Sequence, residues 1–157
     1  MKYLILLFPF LLSAISVEKE WSLLSKSQQK AIIEDYHYGK QYNVGLTLAS
    51  INWAESTGCK FQIHNNQYGC YHQHIKYFLA DYEIPDTKYN RSLYATELVV
   101  NKEWSRDVAI KKILTLYSKY QSWDKAIGAY NGTSNFTTHK YQERIYHYMK
   151  FLKRHIK

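Results

Sequence analysis

A chain of 157 residues has room for one sizeable core and little room for two. With 46% hydrophobic and 22% charged residues, it is neither a disordered polymer nor a chain embedded in a bilayer along its length. Its formal charge of +8 favours anionic partners, nucleic acid being the first to consider.

Residues 1–16 stand apart from the rest. Met1-Lys2 is a short positive start, Tyr3 to Leu12 is an almost unbroken apolar run, and Ser13-Ala14-Ile15-Ser16 ends it with small residues. This pattern predicts a secretory signal peptide over 1–16, cleaved after Ser16, and a working domain over 17–157. The alternative, an uncleaved anchor, needs about 20 apolar residues, and this run is shorter. No second apolar run follows, so no stable membrane span is expected after cleavage. The expected location is the periplasm or the outside of a bacterial cell. There the basic balance no longer points to nucleic acid, for which the chain carries no recognised motif. The cell wall is anionic too, and it lies where such a chain is sent. The plainer alternative is a basic face that only aids solubility.

The mature chain reads as helices with short breaks. Ser25 or Ser27 can cap a first helix running toward Tyr38, with Gly39 as a stop. Asn43 can cap a second, in which Val44, Leu48, Ile51 and Glu55 fall on one stripe and Ser56-Thr57-Gly58 ends the helix. Residues 59–71 lack a period and read as a loop with room for a small hairpin. Ile75, Phe78, Leu79 and Tyr82 have the spacing of an amphipathic helix that Pro85 stops. Ser92 to Asn101 forms a further short helix. Ser105 caps a longer one, with Ala109, Ile113, Leu116 and Tyr120 on one face. Ser122 caps the next, where Trp123, Ala126, Ile127 and Tyr130 align before Asn131-Gly132. Thr137 or Thr138 starts the last, with Tyr141, Ile145, Tyr148 and Leu152 as its stripe. The expected fold class is therefore mainly α, with a small hairpin near the candidate site.

Two cysteines, Cys59 and Cys70, follow the leader, and in an oxidising compartment such a pair most often forms a disulfide. His64, His72 and His74 lie close by and leave a metal site as a second reading, although neither HExxH nor CxxC occurs. The sixteen tyrosines suit helix packing and sugar binding alike. Glu55 is the sharpest single position. It prolongs an apolar stripe, so its carboxyl faces inward or into a cleft, and it sits at a helix C-terminus, where the macrodipole disfavours negative charge. A carboxyl that keeps its proton is what a glycosidic oxygen needs from a general acid. The alternative is a glutamate at a helix end that simply reaches water.

The residues around Glu55 carry a resemblance. Trp53-Ala54-Glu55-Ser56, at the end of an apolar helix, resembles the first motif of the soluble lytic transglycosylases, a branch of the lysozyme-like fold. Ala126-Ile127-Gly128-Ala129-Tyr130-Asn131-Gly132 resembles the family's Ala-x-Ala-Ala-Tyr-Asn-Ala-Gly segment, and Ser105 to Tyr120 its preceding long helix. Thr137-Thr138-His139-Lys140-Tyr141 resembles the Glu-Thr-x-x-Tyr pattern on the closing helix, with Thr137 where glutamate is usual. Tyr68-Gly69-Cys70-Tyr71-His72-Gln73 departs furthest from the family's Gly-Leu-Met-Gln stretch. Cys70 and Tyr71 replace leucine and methionine, and the glutamine is displaced by one, with His72 in its place.

What the resemblance implies is a single lysozyme-like helical domain that cleaves the bond between N-acetylmuramic acid and N-acetylglucosamine in peptidoglycan glycan strands. Glu55 would be the sole catalytic carboxylate, acting as acid and then as base. Tyr130 would orient Glu55 or a substrate group, unless it is a core tyrosine beside Trp123 and Ile127. Ser56, Tyr68, Gly69, Tyr71, Gln73, Asn131 and Tyr141 would line or shape the saccharide site. No metal and no cofactor are implied, and a secretion or conjugation complex is a further possible partner. Three other readings stay open: a goose-type lysozyme-like hydrolase, a non-catalytic peptidoglycan-binding component, and a basic nucleic-acid binder.

Overall fold

The computed structural model describes residues 16–132 and 139–156. All of the expected leader except Ser16, and the Thr137–Thr138 helix start, lie outside the described residues.

The architecture is mainly helical, with one small antiparallel sheet. In chain order the elements are α1 (Val17–Leu23), α2 (Lys26–Lys40), α3 (Gly45–Ser56), β1 (Ile63–His64), β2 (Gln67–Tyr68), β3 (Gln73–His74), α4 (Ile75–Asp81), α5 (Lys88–Val100), α6 (Lys102–Tyr120), α7 (Trp123–Tyr130) and α8 (Lys140–His155). The strands pair in the order β1-β2-β3, with Ile63 opposite Tyr68 and Tyr68 opposite Gln73. None of the helices in the described residues is long and apolar enough to cross a membrane.

Some helix starts match the sequence reading and others correct it. Ser25 caps α2, and Gln28 reaches back to the Ser25 N–H to complete a capping box. Ser122 caps α7 through the Lys125 N–H. Asn43 does not cap α3. It takes a left-handed conformation, φ 59°, in the turn from α2, because α3 must start hard against α2: a Cβ on Gly45 would lie 2.5 Å from the Tyr36 carbonyl oxygen. Ser92 lies inside α5, which starts earlier, capped by the Thr87 hydroxyl. Ser105 is likewise internal. Asn101 caps α6 through the Trp104 N–H, and Ser105 is buried in the first turns. Helix α1 was not anticipated. It is a short helix of about two turns, capped by Ser16, that lays Trp21 against Trp53 and Phe151.

The core is built around α3, which is buried on nearly every side. One cluster joins Val44, Leu48 and Ile51 to Tyr71, Ile110, Ile127 and Ile145. A second sets Trp53 between α1 and α8, its indole stacked 4.0 Å from the Tyr148 ring. A third, formed by Ile75, Phe78, Leu79, Leu98 and Val108, fixes α4 and α5 on α6. The first two clusters hold the end of α3 in place, and that end carries Glu55.

Candidate active site

Glu55 is the next-to-last residue of α3, and its side chain is only 12% exposed. The Tyr141 hydroxyl donates to Oε1 at 2.6 Å, bringing α8 onto the end of α3. The other oxygen, Oε2, lies 3.3 Å from Nδ1 of His72, whose side chain is 9% exposed. The second ring nitrogen, Nε2, is 2.7 Å from the Phe61 carbonyl oxygen. A carbonyl can only accept, so Nε2 must carry a hydrogen. The remaining nitrogen, Nδ1, faces the Glu55 carboxyl and donates to it when the ring is protonated. Burial opposes the imidazolium, yet the bonds to Glu55 and to the Phe61 carbonyl outweigh it and raise the His72 pKa. Burial, and then the charge of Glu55, push the Tyr141 phenol well above its usual range, so it remains a donor.

The loop between α3 and α4 is built to deliver His72. Thr57 leaves the helix in the left-handed region, φ 57°. The Asn52 Oδ1 accepts from the Ser56 hydroxyl and from the Cys59 N–H, and Ser56 Oγ accepts from the same N–H. Cys59 is bonded to Cys70, as expected from the sequence, with their Cα atoms 4.5 Å apart. Gly69, φ 78°, passes so close to α5 that a Cβ would meet the Leu98 carbonyl oxygen at 2.4 Å and the Ser105 hydroxyl at 2.9 Å. The chain then alternates. Tyr71 points into the core, His72 turns to Glu55 with φ 47°, and Gln73 points back in, its amide donating to the Tyr130 hydroxyl at 2.7 Å.

Tyr71 is anchored by a buried polar group under the loop. Its hydroxyl meets Asp35 and Arg106. Asp35, 1% exposed, accepts from the Arg106 guanidinium at 2.6 Å and from the Asn52 amide. Burial raises the Asp35 pKa against the pull of Arg106 and Asn52. One network therefore links α2, α3, α6 and the loop.

Of the residues expected from the sequence, Glu55 and Tyr141 meet directly. Tyr130 does not bond to Glu55: its hydroxyl donates to the Tyr71 carbonyl at 3.0 Å and accepts from Gln73, so it props the loop from the core. Ser56, Gly69, Tyr71 and Gln73 are buried and shape the site from behind. Tyr68 is half-buried and lines a separate hollow with Ile75, Arg91 and Val99. Asn131 ends α7 and is exposed. Among the described residues, no group of three histidine, cysteine, aspartate or glutamate side chains is placed to hold a metal ion.

His72, Asn52, Arg106 and Lys112 were missed as site residues. His72 had a signal: it occupies the position where the resembling family carries glutamine. Lys112 had one as well, lying three residues after Ala109 and four before Leu116, on the same helix face. Its ammonium sits 4.3 Å from the centre of the Tyr130 ring, and Glu55 and Asp81 are close enough for their charges to act on it. Comparison of the chain with protein-family models, with curated proteins and with solved structures finds no match in any of the three.

Proposed function

We propose that the chain is an exported peptidoglycan lytic transglycosylase with Glu55 as its single acid and base. The observation that carries this reading is a mostly buried carboxyl held between a phenol that donates to it and an imidazole 3.3 Å away. In the proposed reaction Glu55 gives its proton to the oxygen linking N-acetylmuramic acid to N-acetylglucosamine, and the C1–O bond breaks. Positive charge builds at C1 beside the new carboxylate. Glu55 then takes the proton of the muramoyl C6 hydroxyl as that oxygen bonds to C1. A 1,6-anhydro end results, no water is consumed, and the proton is back on Glu55.

One carboxyl suffices for this cycle, whereas a typical glycosidase uses two. The acids nearest in sequence support that economy. Asp35 is committed to Arg106 and Asn52, and Asp81 is exposed at the end of α4, on a cavity whose lining does not include Glu55. His72 is not placed to serve as the base of a hydrolysis. With Nδ1 on Glu55 and Nε2 on Phe61, it has no nitrogen free to activate a water.

Mass spectrometry of muropeptides released from purified sacculi tests the reading. Anhydromuramoyl products from the wild type, lost in a folded Glu55→Gln variant, are expected. Reducing-end muramic acid would make the chain a goose-type hydrolase. Glycan binding without turnover would make it a binding component, for example of a secretion or conjugation apparatus.

A further inference from the structure

Lys112 has no role in that cycle, and its surroundings are unusual for a lysine. It is half-buried on α6, and burial lowers its pKa against the pull of Glu55 and Asp81. The face of the Tyr130 ring is its contact, and among the described residues no oxygen accepts a hydrogen bond from it and no carboxylate forms an ion pair with it. Among the described residues its donors are left for water or for a ligand that brings an oxygen.

The lysine borders a cavity of about 370 Å³, the size range of small-molecule sites. Lys111, Lys112, Thr115 and Lys119 line it from α6, Gln73 from β3 and Asp81 from α4. Three cations against one acid leave the cavity positive. Gln73 links it to the candidate active site, because it follows His72 directly and its amide donates to the Tyr130 hydroxyl of α7. Lys111 lies over the Tyr82 ring at 4.2 Å, so a second ammonium is also presented by an aromatic face.

We propose that this cavity binds a carboxylate, with Lys112 as the residue that receives it. Resting on the glycan-cleaving reading above, the carboxylate belongs to the substrate: either the lactyl group of a bare muramic acid or the peptide attached to it. The site would then distinguish acidic wall glycan from neutral chitin-like glycan, which lacks both.

Binding to the folded mature protein tests this without turnover, read by calorimetry and by the shift of the Lys112 side-chain carbon resonances. The probes are N-acetylmuramic acid, muramoyl dipeptide, N-acetylglucosamine and succinate. An acidic sugar should bind about tenfold or more tighter than N-acetylglucosamine, the scale of one charge-assisted hydrogen bond. Preference for N-acetylmuramic acid identifies the lactyl source, and preference for the dipeptide the peptide source. Lys112→Met should erase the preference and Lys112→Arg should keep it, with thermal melting showing both folded. Succinate binding at Lys112 with no sugar bound supports the carboxylate site while removing the glycan reading. Equal binding of acidic and neutral sugars without a Lys112 response to succinate, or an undiminished preference in Lys112→Met, overturns the proposal.

Discussion

Glu55 and His72 form one mostly buried pair, because Nε2 of His72 is tied to the Phe61 carbonyl and Nδ1 faces Glu55 Oε2. Glu55→Gln removes the transferable proton and should lower turnover by about 10²–10⁴-fold or more, since the same group serves both steps. His72→Gln should leave a working acid but remove from the pH–rate profile the titration of His72, whose pKa the bonds to Glu55 and to the Phe61 carbonyl raise. An unchanged pH–rate profile in a folded variant would refute a part for His72 in the site. The same shift has a stability consequence. The His72 pKa is raised above 6.5 in the folded protein, so the pairing stabilises fully below that value and is lost as pH rises through the folded value. Tyr130→Phe should act differently from either. It removes a hydroxyl that bridges Gln73 and the Tyr71 carbonyl, so thermal melting should show a loss of about 1–2 kcal/mol, with a smaller effect on rate than at Glu55.

The disulfide loop between α3 and α4 decides whether His72 reaches Glu55 at all. Gly69→Ala would force a Cβ into the Leu98 carbonyl at φ 78°, and a cost of about 3 kcal/mol is expected from left-handed strain and overpacking together. Denaturant titration should show it, and activity should fall with it because β3 must shift. Cys59→Ala with Cys70→Ala opens a loop whose closure is worth about 3 kcal/mol. Part of the loop should survive, since Asn52 and Ser56 still hold the Cys59 N–H. At this scale the sequence was readable where a cap acts within one turn, as at Ser25 and Ser122. It misled at Ser92 and Ser105, where Thr87 and Asn101 cap earlier turns and where Ser105 lies buried against Gly69.

Across the whole molecule, α8 and α1 close over α3 and thereby set the second contact to Glu55. Trp53 is the shared surface, stacked on Tyr148 and touched at its edges by Trp21 and Phe151. Trp53→Ala should destabilise by about 3–5 kcal/mol, and a smaller cost on thermal unfolding would mean that α8 is held chiefly by the Glu20–Tyr148–Arg144 hydrogen bonds. The helical content, the paired cysteines and the inward-facing Glu55 at a helix end were all legible along the chain, because periodicity, a single pair of cysteines and stop residues can be read over a few turns. The partners of Glu55 were not. His72 is 17 positions away and Tyr141 is 86, and no local rule says which of the many histidines and tyrosines will arrive. That choice follows from the packing of Gly69 on α5, from the buried Asp35–Arg106 pair beneath Tyr71, and from α8 lying on Trp53. Each of these is a contact between distant elements whose geometry exists only once the core has closed around α3.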